Sequence, residues 1–447
     1  MSGASDKRRI GVGLIGFGTI GTGVAKLLAR NADVIEQRLG APLRLVRVAD
    51  LDTETDRGFD LGDIRFDADA DGLIADPDVD IVVELVGGYD VARRLILRSI
   101  ENGKHVVTAN KALLALHGAE IFAKAAELGV DVAFEASVGG GIPILRSLRE
   151  GLAANHIDAI YGILNGTTNY VLSQMESTGE DFEVVLKRAQ ELGYAEADPS
   201  FDIEGIDAAH KLTLLVAMAF GAELTFKQVP TEGIVGLTPD DFAAAKEFGF
   251  RIKLLGIAKA RREDGRESIE ARVHPTLVPI ESLLARVDGA MNAVVVIGDA
   301  VGETLFYGAG AGEMPTASAV VADLMEIARE IGRGIAGRVA PLSYMPEVLE
   351  PKRLVPLSEL EGRFYLRFTA LDRPGVLGHL TGELGDHGIG IQSVMQKGRG
   401  DSSESVAVIV MTHTAPESAV RSALERIDQF SDITAPTRVM RIEEELS

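Results

Sequence analysis

Residues 10–30, IGVGLIGFGTIGTGVAKLLAR, limit the fold more than any other stretch of this chain. A short apolar run ends in glycine. Gly16, Gly18 and Gly21 then follow in the G-x-G-x-x-G spacing, and a helical pattern begins at once. A strand this apolar needs cover on both faces, which a parallel sheet flanked by helices provides. The chain supplies further strands: LRLVRVAD ends at Asp50, IVVELVGG spans 81–88, HVVTANK runs into a loop, and VDVAFEAS makes a fifth. VARRLILRSIENG and IFAKAAELG fall between them with helical spacing. This alternation predicts an α/β, doubly wound parallel sheet over 1–135.

Because the glycine turn follows a strand and opens a helix, it reads as the dinucleotide turn of a Rossmann-type domain. Gly16, Phe17, Gly18, Thr19, Ile20 and Gly21 would approach the pyrophosphate, with a helix N-terminus facing its charge. Asp50, at the end of the second strand, can hold a ribose 2′-hydroxyl and favours NAD. Arg47 and Arg57 are near enough to leave NADP open. In TANK, Thr108 and Lys111 lie at the carboxyl end of the fourth strand, the edge where such sheets bind ligands.

The pattern changes near residue 139. A glycine run and a helix start, then IDAIYGILNGTTNYVLSQM, then strands at LLGIAKARR, ESIEARVHPTLVP and NAVVVIGDAVGETLFYGAGAG predict an α+β catalytic and dimerisation domain over 136–315. A helix over 316–338 is expected to pack back onto the first domain. The proline-rich stretch 340–362 reads as a linker. Residues 363–447 read βαββαβ, a third domain, and 447 residues suit two or three.

Composition narrows the function. A net charge of −22 argues against nucleic acid or an anionic membrane as partner. With no cysteine there are no disulfides, thiolate metal sites or cysteine nucleophiles. A cytoplasmic setting fits. MSGASDKRRI carries no apolar leader segment, no apolar run reaches membrane-spanning length, and the eight histidines show no metal-site spacing.

The densest chemistry lies between Ala189 and Lys211. Glu196, Asp198, Asp202, Glu204, Asp207 and Lys211 crowd together just before the apolar run LTLLVAMAF. Asp207 and Lys211 are four apart, on one helical face. A helix cap explains an acid there, but not a lysine entering an apolar helix. In NGTTNY, Asn165, Gly166, Thr167 and Thr168 offer uncharged donors and acceptors that suit an α-amino acid; a plain turn and cap would use them equally well. EASVGGGIP places the Glu135 carboxylate beside the carbonyls of Val138, Gly140 and Ile142, an alternation able to aim at one hard cation. In DRPGVLG, Asp372, Pro374, Gly375, Val376 and Leu377 join a strand to a helix, where backbone can approach a ligand or a partner chain.

Together these residues resemble the homoserine dehydrogenase family. Ala189, Gly193, Tyr194, Glu196, Asp198, Pro199, Asp202, Gly205, Asp207 and Lys211 fall at the spacing of its signature, with Ala197 where the family has proline. GFGTIG, TANK, EASVGGGIP, NGTTNY and YGAGAG, which holds Gly310, are similar to family segments over roughly 10–340. LDRPGVLGHL resembles an ACT domain, a small amino-acid-sensing module. The resemblance implies reversible NAD- or NADP-dependent reduction of L-aspartate 4-semialdehyde to L-homoserine, on the way to threonine, methionine and isoleucine. It implies Lys211 as proton donor with Asp207 beside it, Glu196 and Asp202 at the substrate ammonium, and Lys111 near substrate and nicotinamide. Gly310 would line the cofactor, and a sodium ion would sit at Glu135, Val138, Gly140 and Ile142. A homodimer or homotetramer is implied, with threonine as the first effector to test. The start close to the first strand suggests a form not fused behind an aspartate kinase. A chain ending near residue 350 is expected to stay active and lose threonine inhibition. Aspartate-semialdehyde dehydrogenase, a rival reading, needs the absent cysteine; a non-catalytic sensor would not need Asp207 and Lys211.

Overall fold

The computed structural model describes residues 9–223, 226–263, 265–396 and 405–446. Residues 1–8, read above for a leader, and Lys397, read as the end of a strand, lie outside them. The chain forms two compact units, each built from separate stretches. One comprises Met1–Ile160, Ala209–Gln228 and Asn292–Lys352; the other comprises Tyr161–Ala208, Val229–Met291 and Arg353–Ser447.

In the first unit, β1 (Ile10–Ile15), β2 (Leu43–Ala49), β3 (Arg65–Asp67), β4 (Ile81–Glu84), β5 (His105–Thr108) and β6 (Val132–Ala133) form one parallel sheet in the order β3-β2-β1-β4-β5-β6. The order reverses at β1, so a crevice opens at its carboxyl end. Every residue of β1 and β4 is buried, as their unbroken apolar runs require. Helix α1 (Thr19–Arg30) covers one face. Its Val24 and Leu28 share a core with Val320, Leu324 and Ile327 of the helix Glu313–Ile331. That helix ends at Ile331, short of 338. Helices α2 (Asp90–Glu101) and α3 (Lys111–Leu128) complete the alternation. VDVAFEAS yields only the two residues of β6, followed by a 3-10 turn at Glu135–Ser137. The turn lets the buried Glu135 carboxylate accept hydrogen bonds from the amides of Leu145 and Arg146. A continued strand would point it elsewhere.

The second unit contains α4 (Gly166–Thr178) and the start of α5 (Ile206–Phe220), whose later residues belong to the first unit. It also holds two fourteen-residue antiparallel strands, β7 (Phe250–Glu263) and β8 (Arg266–Pro279). The tail supplies β9 (Glu361–Leu371), α6 (Val376–Asp386), β10 (Ile391–Gln396), β11 (Ser405–Thr412), α7 (Glu417–Ile427) and β12 (Ile433–Ile442). This βαββαβ order matches the sequence reading, and the module has its own core around Phe364, Phe368, Leu380 and Val420. Its sheet continues the hairpin in the order β7-β8-β12-β9-β11-β10, because β12 pairs in parallel with β8 through Arg441–Thr276 and Ile442–Leu277. The proline-rich connection is also tied down: Arg353 and Leu354 pair with Ser268 and Ile269 of β8.

Candidate active site

Asn165 organises the acidic segment. It caps α4, its Oδ1 accepting from the Thr168 amide at 2.8 Å. Its Nδ2 donates to Asp202 Oδ1 at 2.7 Å and to Asp207 Oδ2 at 2.9 Å. One neutral amide thus holds two carboxylates from different segments, through charge-assisted bonds. Asp202 lies in the short helix Ser200–Ile203 and Asp207 in the first turn of α5. Asp207 is 3% exposed, and Lys211, one turn later, 8%. Gly166 begins α4, and the Thr167 hydroxyl donates to the Tyr194 carbonyl at 2.6 Å. Glu196 is exposed; its carbonyl and that of Ala197 accept from the Gln190 side chain.

The glycine turn has the geometry its sequence predicts. Gly16 sits at φ +96°, and a Cβ on Gly21 would lie 2.2 Å from the Gly16 carbonyl oxygen, so neither tolerates a side chain. Gly18 has open space around it and stands at the N-terminus of α1, ahead of the exposed Thr19 and half-buried Ile20. The Phe17 amide donates to Asp50 Oδ2 at 2.5 Å, and the Asp52 amide to its other oxygen at 2.9 Å. The two arginines have separate fates. Arg47 is buried against Asp67 at 3.1 Å, Asp69 at 3.3 Å and Asp76 at 3.6 Å. Arg57 lies 3.8 Å from Asp50, its guanidinium over the rings of Phe17 and Phe66.

At the ends of β4 and β5, the Thr108 hydroxyl donates to Glu84 Oε2 at 2.7 Å, and the amides of Val86 and Gly87 donate to Oε1. Burial pushes the Glu84 carboxyl above the ordinary range despite these bonds. Asn110 caps α3, which places Lys111 in its first turn.

Comparison with known proteins decides the family. Residues 143–325 match the family model described as "Homoserine dehydrogenase", 16–135 match "Homoserine dehydrogenase, NAD binding domain", and 364–431 match "ACT domain". A homoserine dehydrogenase of Pseudomonas aeruginosa is 48% identical over 97% of this chain and 98% of its own. The chain belongs to the homoserine dehydrogenase family. The crystal structure of a homoserine dehydrogenase from Thiobacillus denitrificans is 48% identical, with a TM-score of 0.91 over 98% of this chain and 99% of that one. A hyperthermophilic archaeal homoserine dehydrogenase in complex with NADPH is 25% identical, with a TM-score of 0.60 over 72% of this chain and 98% of that one.

As a homoserine dehydrogenase the chain is an NAD(P)-dependent oxidoreductase, with an ACT domain behind the catalytic part. The structure joins Asn165, Asp202 and Asp207 by hydrogen bonds, while Glu196 stays exposed on the connection before them. Two buried residues escaped the sequence reading. Glu84 was hidden in an apolar strand, where the only signal was an acid in IVVELV. Asn292 packs directly on Gly310 and is 1% exposed; among the described residues neither of its polar side-chain atoms has a hydrogen-bond partner. No described cluster of three or more histidine, aspartate or glutamate side chains could hold a metal ion. For the implied sodium ion the fit is partial. The Glu135 carboxylate already accepts from Leu145 at 3.0 Å and Arg146 at 2.8 Å, which leaves main-chain carbonyls as the donor set. In the tail, Gly375 at φ +96° heads α6, and the Asp372 carboxylate accepts from Gln396 at 3.1 Å. Pro374 and Leu377 are exposed, but Val376 is buried in the module's core, so its side chain serves packing. No described helix is long and apolar enough to cross a membrane.

Proposed function

We propose that the chain interconverts L-homoserine and L-aspartate 4-semialdehyde, with Lys211 as proton donor to the substrate oxygen and Asp207 as its neighbour. Asp202 and Glu196 bind the substrate ammonium, which selects an amino acid over a plain aldehyde. Asn165, with Gly166, Thr167 and Thr168, sets Asp202 and Asp207 in place and lines the substrate, and Lys111 stands near substrate and nicotinamide. The observation that carries this reading is the Asn165 amide holding Asp202 and Asp207, with the buried Lys211 one turn on. When bound, the nicotinamide supplies or takes the hydride. Hydride arriving at the aldehyde carbon leaves an alkoxide, which needs a proton held in place, and a lysine donor from α5 meets that need.

The finer assignments follow from the same residues. Gly16 to Gly21 and Gly310 line the cofactor. Asp50 already accepts two amides, and Arg57 lies beside it over Phe17, an arrangement that favours a 2′-phosphate and so NADP. A sodium ion would be held by the carbonyls of Val138, Gly140 and Ile142, with Glu135 contributing its carbonyl rather than its carboxylate. Residues 372–377 bind an amino-acid effector, threonine first among candidates, largely through backbone. The enzyme works in the cytoplasm as a homo-oligomer. The test is nicotinamide absorbance on adding L-homoserine with each cofactor in turn. Reduction of neither cofactor overturns the assignment; reduction of NAD alone overturns the role given to Arg57.

A further inference from the structure

We propose that Glu232 is a positioning residue for the substrate segment, holding the turn that carries Asp202 in place by tying it to the C-terminal module. The inference rests on the reading of Asp202 as a substrate ligand. Glu232 lies in the stretch 229–237, between α5 and the β7–β8 hairpin, and the whole arrangement falls within one compact unit.

The tail grips this stretch at two points. The Arg441 guanidinium of β12 donates from both terminal nitrogens to the two Glu232 oxygens, each at 3.0 Å, and Arg421 of α7 adds a third bond at 2.9 Å. Arg441 is in turn fixed by the buried Glu417, at 2.6 and 2.9 Å. The second grip is Arg438, which donates to the carbonyl of Val235 at 3.0 Å and that of Gly233 at 3.5 Å. A forked, doubly bonded arginine holds a carboxylate in orientation as well as in place. Burial alone would raise the Glu232 carboxyl, but Arg441 and Arg421 outweigh it and hold it below the ordinary range.

From the clamp the main chain leads straight to the site. The Glu232 amide donates to the Val273 carbonyl of β8 at 2.8 Å, anchoring the stretch to the hairpin. Two residues on, the Ile234 amide donates to the Ile203 carbonyl at 2.8 Å. Ile203 ends the short helix that contains Asp202. Between them Gly233 lies so close that a Cβ would sit 2.2 Å from the Ile203 carbonyl oxygen and 2.6 Å from the Glu204 Cα. The stretch and the Asp202 turn are therefore in backbone contact, with no side chain to absorb a shift. Substrate geometry responds steeply to small displacements, so loosening the clamp should be read at the substrate.

The test compares Glu232→Gln, Arg438→Met and Asp202→Asn in the full-length enzyme, measuring KM for homoserine, KM for the cofactor, kcat and Tm. Glu232→Gln keeps the shape and removes the charge that both arginines bind. It should raise the homoserine KM roughly three- to thirtyfold, the scale of one or two charge-assisted hydrogen bonds partly transmitted, with cofactor KM nearly unchanged, while Tm falls because the buried Arg441 loses a partner. Arg438→Met, acting on the other grip, should move the homoserine KM in the same direction by less. An unchanged homoserine KM in Glu232→Gln, or parallel rises in both KM values, overturns the positioning role. If Asp202→Asn alone raises the homoserine KM, the reading of Asp202 stands and the clamp fails. If Asp202→Asn leaves it unchanged, the reading of Asp202 fails and the route through it fails too, whatever Glu232→Gln does.

Discussion

Lys211 is a buried lysine one turn into an apolar helix, four residues after Asp207, which the Asn165 amide holds together with Asp202. Burying a lysine there is costly for packing alone, which is why the proposed role makes it the proton donor. Lys211→Ala should therefore lower kcat about 10²–10⁴-fold, with cofactor affinity intact by fluorescence titration; near-normal turnover would remove it from the proton path. Arg57 carries the second residue-scale expectation. Arg47 and Arg57 looked equivalent in the sequence, yet Arg47 is buried among three aspartates, while Arg57, paired with Asp52 at 3.3 Å, lies over Phe17 beside Asp50. Arg57→Ala should raise KM for NADP roughly tenfold or more, the scale of a charge-assisted phosphate contact, and leave KM for NAD little changed. Steady-state kinetics with the two cofactors decides it.

At the scale of elements, the turn after β6 meets the helix Glu313–Ile331 through a buried acid pair. The Glu135 amide donates to Asp323 Oδ2 at 2.8 Å, and Asp323 is 1% exposed. Burial first, and the Glu135 charge second, push the Asp323 carboxyl up to about 8. In the unfolded chain it titrates near an ordinary aspartate value of about 3.9. Between those limits the native state keeps a proton that the unfolded chain has released, so this group's contribution to stability falls as pH rises from about 4 to about 8. The sign is opposite to that of a carboxylate with a depressed pKa. Asp323→Asn removes the titration, so its Tm relative to the parent should climb by a few degrees between pH 5 and pH 8. A flat difference would show that Asp323 is ionised in the native state. The sequence offered an aspartate in an apolar helix, TASAVVADLMEIARE, but no sign of which acid it would face.

For the whole molecule, the tail is the element whose standing changes most between sequence and structure. Proline-rich composition at 340–362 suggested a separable module. Instead β12 extends the sheet of β8, Asp241, fully buried, accepts from Tyr365 and Arg367 of β9, and Lys259 and Arg272 pair with Glu443. A chain ending near 350 would regain water at those charges, but it would bare the long edge of β8, whose unpaired main-chain groups are prone to pair with other chains. The structure thus argues for a different outcome from retained activity: the truncated chain should show a lower Tm and associate on gel filtration. A monodisperse, fully active truncation would restore the tail to a detachable module. What the sequence determined by itself was local: period-two and helical patterns along the chain, the glycine turn whose backbone tolerates no side chain, the βαββαβ order of the tail, and the Asp207–Lys211 spacing on one helix. These depend on residues a few positions apart, so they are legible in a string. The tertiary structure decided the long-range pairings: which arginine lies over Phe17 beside Asp50, that Asn165 joins Asp202 to Asp207, that Glu84 and Asp323 are buried acids, and that Arg441 reaches back to Glu232. Each is a choice among many equally charged or polar partners far apart in the chain, and only the packing of buried surfaces selects one of them.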